Sequence, residues 1–168
     1  MLNYKKILST TGTAVLITSF ASSGAFAASA TGTASIDFYA PATVTSSTNM
    51  DFGIISTGGI AVGQYISLLT TGAYHATKTL TNISSSGTAA AFAVEVDGVA
   101  TISVAEVDHA DVALDNFKCK IGTGSEHNCG ASTISADATV YVGARLTIEN
   151  ASVSGTVSPQ YTMTVNYQ

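Results

Sequence analysis

The chain has 168 residues, of which 10% are charged, with six Lys and Arg against eleven Asp and Glu. This acidic balance argues against a nucleic-acid-binding protein, which needs a basic face to displace counterions, and against docking on anionic lipid. Small and β-branched residues dominate the remaining composition, which favours pleated sheets joined by short turns.

The chain begins with the pattern of an export signal. Lys5 and Lys6 form a short positive region, a mostly apolar run follows, and "AFA" at 25–27 supplies small residues for cleavage. The apolar run is shorter than the roughly 20 residues that a transmembrane helix needs. We therefore predict that a signal peptide, 1–27, is removed and that one domain, 28–168, is exported to the periplasm or cell surface of a Gram-negative bacterium without membrane insertion.

The segment 28–38, called the arm below, alternates strictly between apolar and polar residues. One side carries six apolar or small residues: Ala28, Ala30, Gly32, Ala34, Ile36 and Phe38. This two-residue period predicts a long strand. Pro41 ends the strand because proline has no N–H to give to a ladder. Further strands are predicted in 48–56 and in 60–70, where Gly63 is expected to form a bulge.

The middle of the chain contains one strong turn signal. Residues 73–83 are rich in β-formers without clean alternation. Residues 91–96 and 99–107 alternate on either side of Asp97 and Gly98, and the Asp-Gly pair is typical of tight hairpins. We predict that these two segments form a β-hairpin.

Three more strands are predicted towards the C-terminus. The first is 111–121, and the second, 138–149, has the cleanest alternation in the chain. Its core-facing residues are Ala138, Val140, Val142, Ala144, Leu146 and Ile148. In the third, Tyr161, Met163, Val165 and Tyr167 alternate with polar residues, as in a half-buried strand. Eight or nine short strands without a helical period indicate an all-β sandwich or barrel.

The segment "MDFGIISTGG" at 50–59, with the alternating arm and the C-terminal "TMTVNYQ", resembles the exported bacterial family DUF4402, a domain of unknown function. The same features are similar to subunits of chaperone-usher fimbriae, whose chains commonly end in an apolar strand with a penultimate tyrosine, here Tyr167. The resemblance implies an immunoglobulin-like antiparallel β-sandwich that is exported and assembles on the cell surface. One feature departs from the fimbrial pattern, because both cysteines lie late in the chain rather than near an early strand.

The two cysteines form an even pair in a chain that carries an export signal, which predicts a disulfide between Cys119 and Cys129. Such a bridge would close a short loop between adjacent strands. The spacing differs from the CxxC of redox pairs. Together with His127, the pair also falls short of the usual zinc ligand set.

The remaining polar residues give no catalytic or cofactor signal. No Ser, Cys or carboxylate lies at a spacing that marks a nucleophile with its base, so we expect a protein that is not an enzyme and has no cofactor. If calcium binds, Asp97, Asp108 and Asp111 are the best ligands by their loop positions. Because their spacing matches no known calcium loop, a solvated acidic rim is the simpler interpretation.

The arm carries the main functional hypothesis. An extended segment of small apolar residues could complete the sheet of a neighbouring subunit by β-augmentation, and the strand from Tyr161 to Tyr167 would then border the gap that receives it. Alternatively, the arm is the first strand of its own sandwich. We expect a structural or adhesive subunit of a fimbria-like fibre, with self-association, other surface subunits and a periplasmic chaperone as partners. A monomeric carbohydrate-binding module is the alternative.

Overall fold

The computed structural model describes residues 33, 35–36, 38–81, 83 and 86–168. The chain divides into two units, 1–36 and 37–168, and every strand described below belongs to the second. In the first unit, Thr33, Ser35 and Ile36 have no regular secondary structure. The predicted signal peptide and the arm positions Ala28, Ala30, Gly32 and Ala34 lie outside the described residues.

The described part of the second unit contains nine strands and a single 3-10 turn. In chain order they are β1 (Thr43–Thr48), β2 (Tyr65–Ser67), β3 (Ala90–Glu95), β4 (Ala100–Val107), β5 (Val112–Ile121), β6 (Glu126–Asn128), the 3-10 turn (Cys129–Ala131), β7 (Ser132–Ile134), β8 (Ala138–Ile148) and β9 (Gln160–Tyr167). All strand pairs are antiparallel. This confirms the predicted all-β, antiparallel sandwich of about nine strands.

A six-stranded sheet is built around β8. Its order is β1-β3-β8-β5-β6, and β2 shares one edge of β8 with β3. The strand β3 pairs with 138–142 of β8, whereas β2 pairs with 145–147. Gly143 lies between the two pairings, where the chain after β2 crosses so closely that a Cβ would overlap the carbonyl oxygen of Leu68.

A three-stranded sheet, β7-β4-β9, packs over the six-stranded sheet. The main core between them includes Ala90, Ile102 and Val142, which are all fully buried. A second buried cluster, which includes Ile66, Leu114 and Leu146, lies at the other end of β8. Apart from Tyr161 on β9, the smaller sheet does not contribute to this second cluster, which is covered mainly by irregular segments.

The predicted hairpin at Asp97 and Gly98 is wrong. The strand before the turn, β3, belongs to the six-stranded sheet, and the strand after it, β4, belongs to the three-stranded sheet. The backbone N–H of Asp97 donates to the hydroxyl of Tyr167 at 2.9 Å, and that of Val96 donates to Asp137 at 2.9 Å. Because distant residues use these amides, the turn carries the chain from one sheet to the other.

The predicted strands at 48–56 and 60–70 are largely absent. The first strand of the sandwich is β1, and the next residues form only isolated bridges at Asp51 and Ile55. The carboxylate of Asp51 accepts the N–H of Gly53 at 2.7 Å, and the φ of Gly53 is 68°, a local turn that interrupts the ladder. In the second segment only β2 forms, because Gly63 also has a positive φ, 83°.

The later strand predictions are confirmed, and so is the disulfide. The strands β5, β8 and β9 lie within one residue of their expected positions. Cys119, on β5, is bonded to Cys129, which opens the 3-10 turn after β6. Both cysteines are buried. A structural disulfide fits an exported protein, since such bonds persist in oxidising compartments.

Candidate functional site

The C-terminal strand β9 has one hydrogen-bonded neighbour, β4, within the described part of the chain. The opposite side is called the free edge below. The inward-facing residues of β9 from Tyr161 to Tyr167 are only half-buried. In contrast, the inward-facing residues of β8 from Val140 to Ile148 are at most 6% exposed. The side chains of β9 therefore lack the cover that one more strand would give.

The edge strands β1, β6 and β7 are guarded in ways that β9 is not. The edge strands β6 and β7 have three residues each, and β6 carries charge. The edge strand β1 is mostly Ser and Thr and its register is broken by a bulge. The strand β9 has eight residues, no charge and four apolar or aromatic inward positions. A long uncharged edge of this kind is a template for another strand.

A pocket of about 730 Å³ opens beside the start of β9. Its floor is the second core cluster, with Leu114 and Leu146 from β5 and β8. Its walls come from irregular segments on either side, including Phe52, Ile55 and Val157. The pocket therefore combines an apolar floor with a rim that also carries polar residues such as Asp51 and Gln160, and it lies next to the strand whose edge is free.

Tyr161 joins this pocket to the main core. Its ring packs edge-on against Phe92, with 6.2 Å between centroids, and lies 5.9 Å from the ring of Phe117. Burial raises the pKa of Tyr161, and a hydrogen bond with the backbone of Met50 opposes the shift. The hydroxyl is therefore neutral at physiological pH, so the cleft beside the start of β9 carries no charge from this residue.

The other end of β9 is held by two stacked rings. Tyr39 and Tyr167 lie 5.4 Å apart with an interplanar angle of 17°. The hydroxyl of Tyr167 donates to the carbonyl of Ala40 at 2.8 Å and accepts the N–H of Asp97. The ring of Tyr39 covers Gly98, where a Cβ would lie 2.7 Å from a ring carbon. This pair, the tyrosine clasp, fixes the chain that enters the sandwich to the end of its last strand.

The pocket and the tyrosine clasp lie at opposite ends of β9. The eight residues of β9 begin at the pocket and end at Tyr167. At about 3.4 Å per residue, the two features are separated by roughly 25 Å. A strand that bound along the free edge would therefore meet a wide cleft with an apolar floor at one end and a pair of rings at the other.

Some of the predicted site residues lie in the described part of the chain, and the others lie outside it. Tyr161, Met163, Val165 and Tyr167 all face inward on β9, as expected. Phe38 lies outside any strand and is 83% exposed. Ile36 also lies outside any strand. The donor role of the six arm positions stays a prediction.

The site also uses residues that the sequence did not single out. Tyr39 gave no signal because one tyrosine after an apolar strand has no distinguishing pattern. Phe52 was expected on a strand, whereas the pocket uses it in an irregular segment that also carries Ile55. The segment 153–159, which the sequence analysis placed in no strand, forms one wall of the pocket.

The acidic residues suggested for calcium are not brought together. Asp97 lies at the turn beside the tyrosine clasp, whereas Asp111 accepts a hydrogen bond from Asn150 at 2.7 Å near the pocket end of β8. No group of three His, Cys, Asp or Glu that could hold a metal ion occurs among the described residues. Within that same part of the chain, no helix has the length and hydropathy of a membrane span.

The outer face of the six-stranded sheet carries the one well-formed ion pair of the described region. Arg145 donates to both carboxylate oxygens of Asp115, at 2.7 and 2.6 Å, across a β5–β8 register pair. The hydrogen bond to Asp115 raises the pKa of Arg145. Both side chains are more than a third exposed, so the pair fixes strand register more than it adds stability.

A family model described as a domain of unknown function (DUF4402) matches residues 43–167. The chain belongs to this family. The DUF4402 match begins at the first residue of β1 and ends at the last residue of β9, so it coincides with the sandwich and leaves the arm outside. No curated protein and no solved structure matches the chain.

Proposed function

We propose that this DUF4402 protein is a non-catalytic, exported structural or adhesive protein, a subunit of a fimbria-like surface fibre that assembles by β-strand complementation. The observation that carries the proposal is the free edge of β9, which is long, uncharged and flanked by a pocket with an apolar floor. An added strand would bond to the backbone of β9 and cover its half-buried side chains.

Two contributions to the free energy of binding favour the addition of a strand to β9. A strand along the free edge would form hydrogen bonds to β9, each contributing about 0.5–1.5 kcal/mol net of water. Apolar side chains of the added strand would enter the pocket, where each buried side chain of Val or Leu size contributes roughly 1.5–3 kcal/mol. Binding by main-chain pairing plus alternate side-chain pockets is the general form of β-augmentation.

The proposed location follows from the export signal and the disulfide. The predicted signal peptide would direct the chain out of the cytoplasm, and the Cys119–Cys129 bond suits an oxidising compartment. An unpaired edge is an aggregation hazard during export. We therefore propose a periplasmic chaperone that covers β9 until the subunit reaches the cell surface, where other copies or other surface subunits replace it.

The test is to shear the surface of expressing cells and to blot the released protein on a denaturing gel, with and without boiling. A ladder that collapses to one band only on boiling supports strand-mediated, non-covalent assembly. A chain lacking the arm, 28–38, is expected to fold and to give no ladder. A single unboiled monomer confined to the periplasm would overturn the proposal.

A second candidate function is a carbohydrate-binding module, and one observation favours it. A shallow depression of about 290 Å³ is lined by residues that include Thr48, Thr71, Thr88 and Tyr141. Hydroxyl groups beside an aromatic ring suit the polar edges and apolar face of a sugar. Titration with a panel of soluble oligosaccharides tests it, with Tyr141→Ala expected to abolish binding and Tyr65→Ala, elsewhere on the same sheet, expected to retain it.

A further inference from the structure

We propose, on the basis of the proposed function, that the strand added to β9 is the arm of a second copy of this chain, that it runs antiparallel to β9, and that Ile36 and Phe38 of that arm fill the pocket. The inference names both the occupant and its direction. It rests on the match in size between the side chains of the arm and the space beside the free edge of β9. It also rests on the place where each chain enters its own sandwich.

The arm is graded in size along its length. Its apolar side begins with Ala28, Ala30, Gly32 and Ala34 and ends with Ile36 and Phe38. The space beside the free edge of β9 also differs in size between its two ends. A pocket of about 730 Å³ lies at the Gln160 end, and the tyrosine clasp lies at the Tyr167 end. The two large side chains fit the pocket only if the arm ends at Gln160, which makes it antiparallel to β9.

By the same geometry, an arm that lay along the β9 of its own chain could not bring Phe38 to the pocket. Tyr39 is held at the Tyr167 end of β9, so residue 38 starts from there. A chain that folded back along its own β9 would run parallel to it, and its Phe38 would remain next to the clasp, roughly 25 Å from the pocket. Phe38 is instead 83% exposed. The side chains that fill the pocket therefore come from another copy.

The length of the arm is sufficient for this role. Its eleven residues reach about 36 Å when extended, more than the span of the eight-residue β9. Each copy then offers an arm at its clasp end and a pocket at its opposite end. An interface between unlike surfaces at opposite ends does not close on itself in a dimer, so it generates an open, head-to-tail fibre.

Cysteine cross-linking tests the direction. Both native cysteines are bonded and no free cysteine occurs in the described residues, so introduced thiols are unambiguous. Thr31→Cys and Ser35→Cys are placed singly in one tagged copy, and Thr162→Cys and Asn166→Cys singly in a second copy with a different tag. All four positions lie on the polar side of the alternation, so packing is not disturbed.

The antiparallel arrangement predicts disulfides between copies for Ser35→Cys with Thr162→Cys and for Thr31→Cys with Asn166→Cys. The two crossed combinations are expected to remain unlinked, because a disulfide requires Cα atoms within about 4.4–6.8 Å. The crossed pattern would show a parallel arm and overturn this inference. Multimers that give no bond in any combination would overturn it as well, while strand complementation itself would stand. An absence of multimers from every mixture would overturn the proposed function together with it.

A second variant pair tests the pocket contact without altering the fold. Phe38→Ala removes a side chain that is 83% exposed in a single copy, and Val62→Ala is the matched control at 64% exposure. We expect Phe38→Ala to reduce the yield of multimers at least tenfold and Val62→Ala to leave it unchanged. Equal multimer yields from both variants would overturn the assignment of Phe38 to the pocket.

Discussion

Tyr167→Phe removes one atom from the tyrosine clasp and leaves its ring in place. The lost hydroxyl donates to Ala40 and accepts from Asp97, at 2.8 and 2.9 Å. Both hydrogen bonds lie in exposed surroundings, so water replaces the lost partner and each bond is worth about 0.5 kcal/mol, the low end of the usual range. We expect the free energy of unfolding to fall by about 1 kcal/mol in total.

The ring stack is measured separately by a double-mutant cycle. Tyr39→Ala, Tyr167→Ala and the double variant isolate the interaction between the rings, which for stacked pairs is about 0.5–1.5 kcal/mol beyond the buried area. Urea unfolding followed by circular dichroism, in monomeric protein at several concentrations, gives the free energies. The control cycle pairs Tyr167→Ala with Tyr65→Ala, for which we expect additivity within about 0.5 kcal/mol.

Gly98→Ala provides an independent perturbation of the same contact. Its Cβ would lie 2.7 Å from the ring of Tyr39, so the ring has to leave the stack. We therefore expect Gly98→Ala to lose much of its effect in a Tyr39→Ala background. A coupling between Tyr39 and Tyr167 below about 0.3 kcal/mol would refute the clasp, since that lies within the error expected for independent sites.

Three further predictions concern the sandwich itself. Gly143→Ala would force a Cβ into a backbone carbonyl, so we expect a loss of about 3 kcal/mol or more in urea unfolding, whereas Gly130→Ala, with no atom within 4 Å, should change stability by less than about 0.5 kcal/mol. Replacing Cys119 and Cys129 together by Ser should cost about 3 kcal/mol and abolish any response of the melting temperature to reductant. Because burial raises the pKa of Tyr161 above its ordinary value of 10.0, the folded state keeps a proton that the unfolded state releases. The corresponding stability is complete below pH 10 and is lost as the pH rises from there through the raised pKa. Tyr161→Phe should remove that part of the alkaline decline, and an unchanged decline would contradict it.

Strands that bury one face in the sandwich were predictable from the alternation of apolar and polar residues alone. In β8, the expected inward residues from Val140 to Ile148 are buried, and in β9 the expected inward residues pack on the main core. A shift of one residue would turn every apolar side chain of such a strand to solvent, so the pattern fixes the register.

The choice of partner strand was not predictable in the same way. Turn chemistry is local, and Asp97–Gly98 suits a hairpin, yet the amides at this turn bond to Tyr167 and Asp137, far along the chain. The alternation of Met50, Phe52 and Ile54 likewise indicated a strand, whereas Ile54 is 79% exposed and Phe52 lines the pocket. Periodicity detects which face a strand would bury, but contacts distant in sequence decide whether it pairs.

The unequal sizes of the two sheets lead to the same site as the free edge does. The six-stranded sheet has more strands than its three-stranded partner, and Phe92 on β3 of the larger sheet is only half-buried at the border of the pocket. The ring of Phe92 meets β9 edge-on at Tyr161. One strand beside β9 would bond to the free edge and add cover to Phe92. The same added strand would therefore pair with the free backbone edge of β9 and cover the half-buried ring on β3. The two observations are independent of each other.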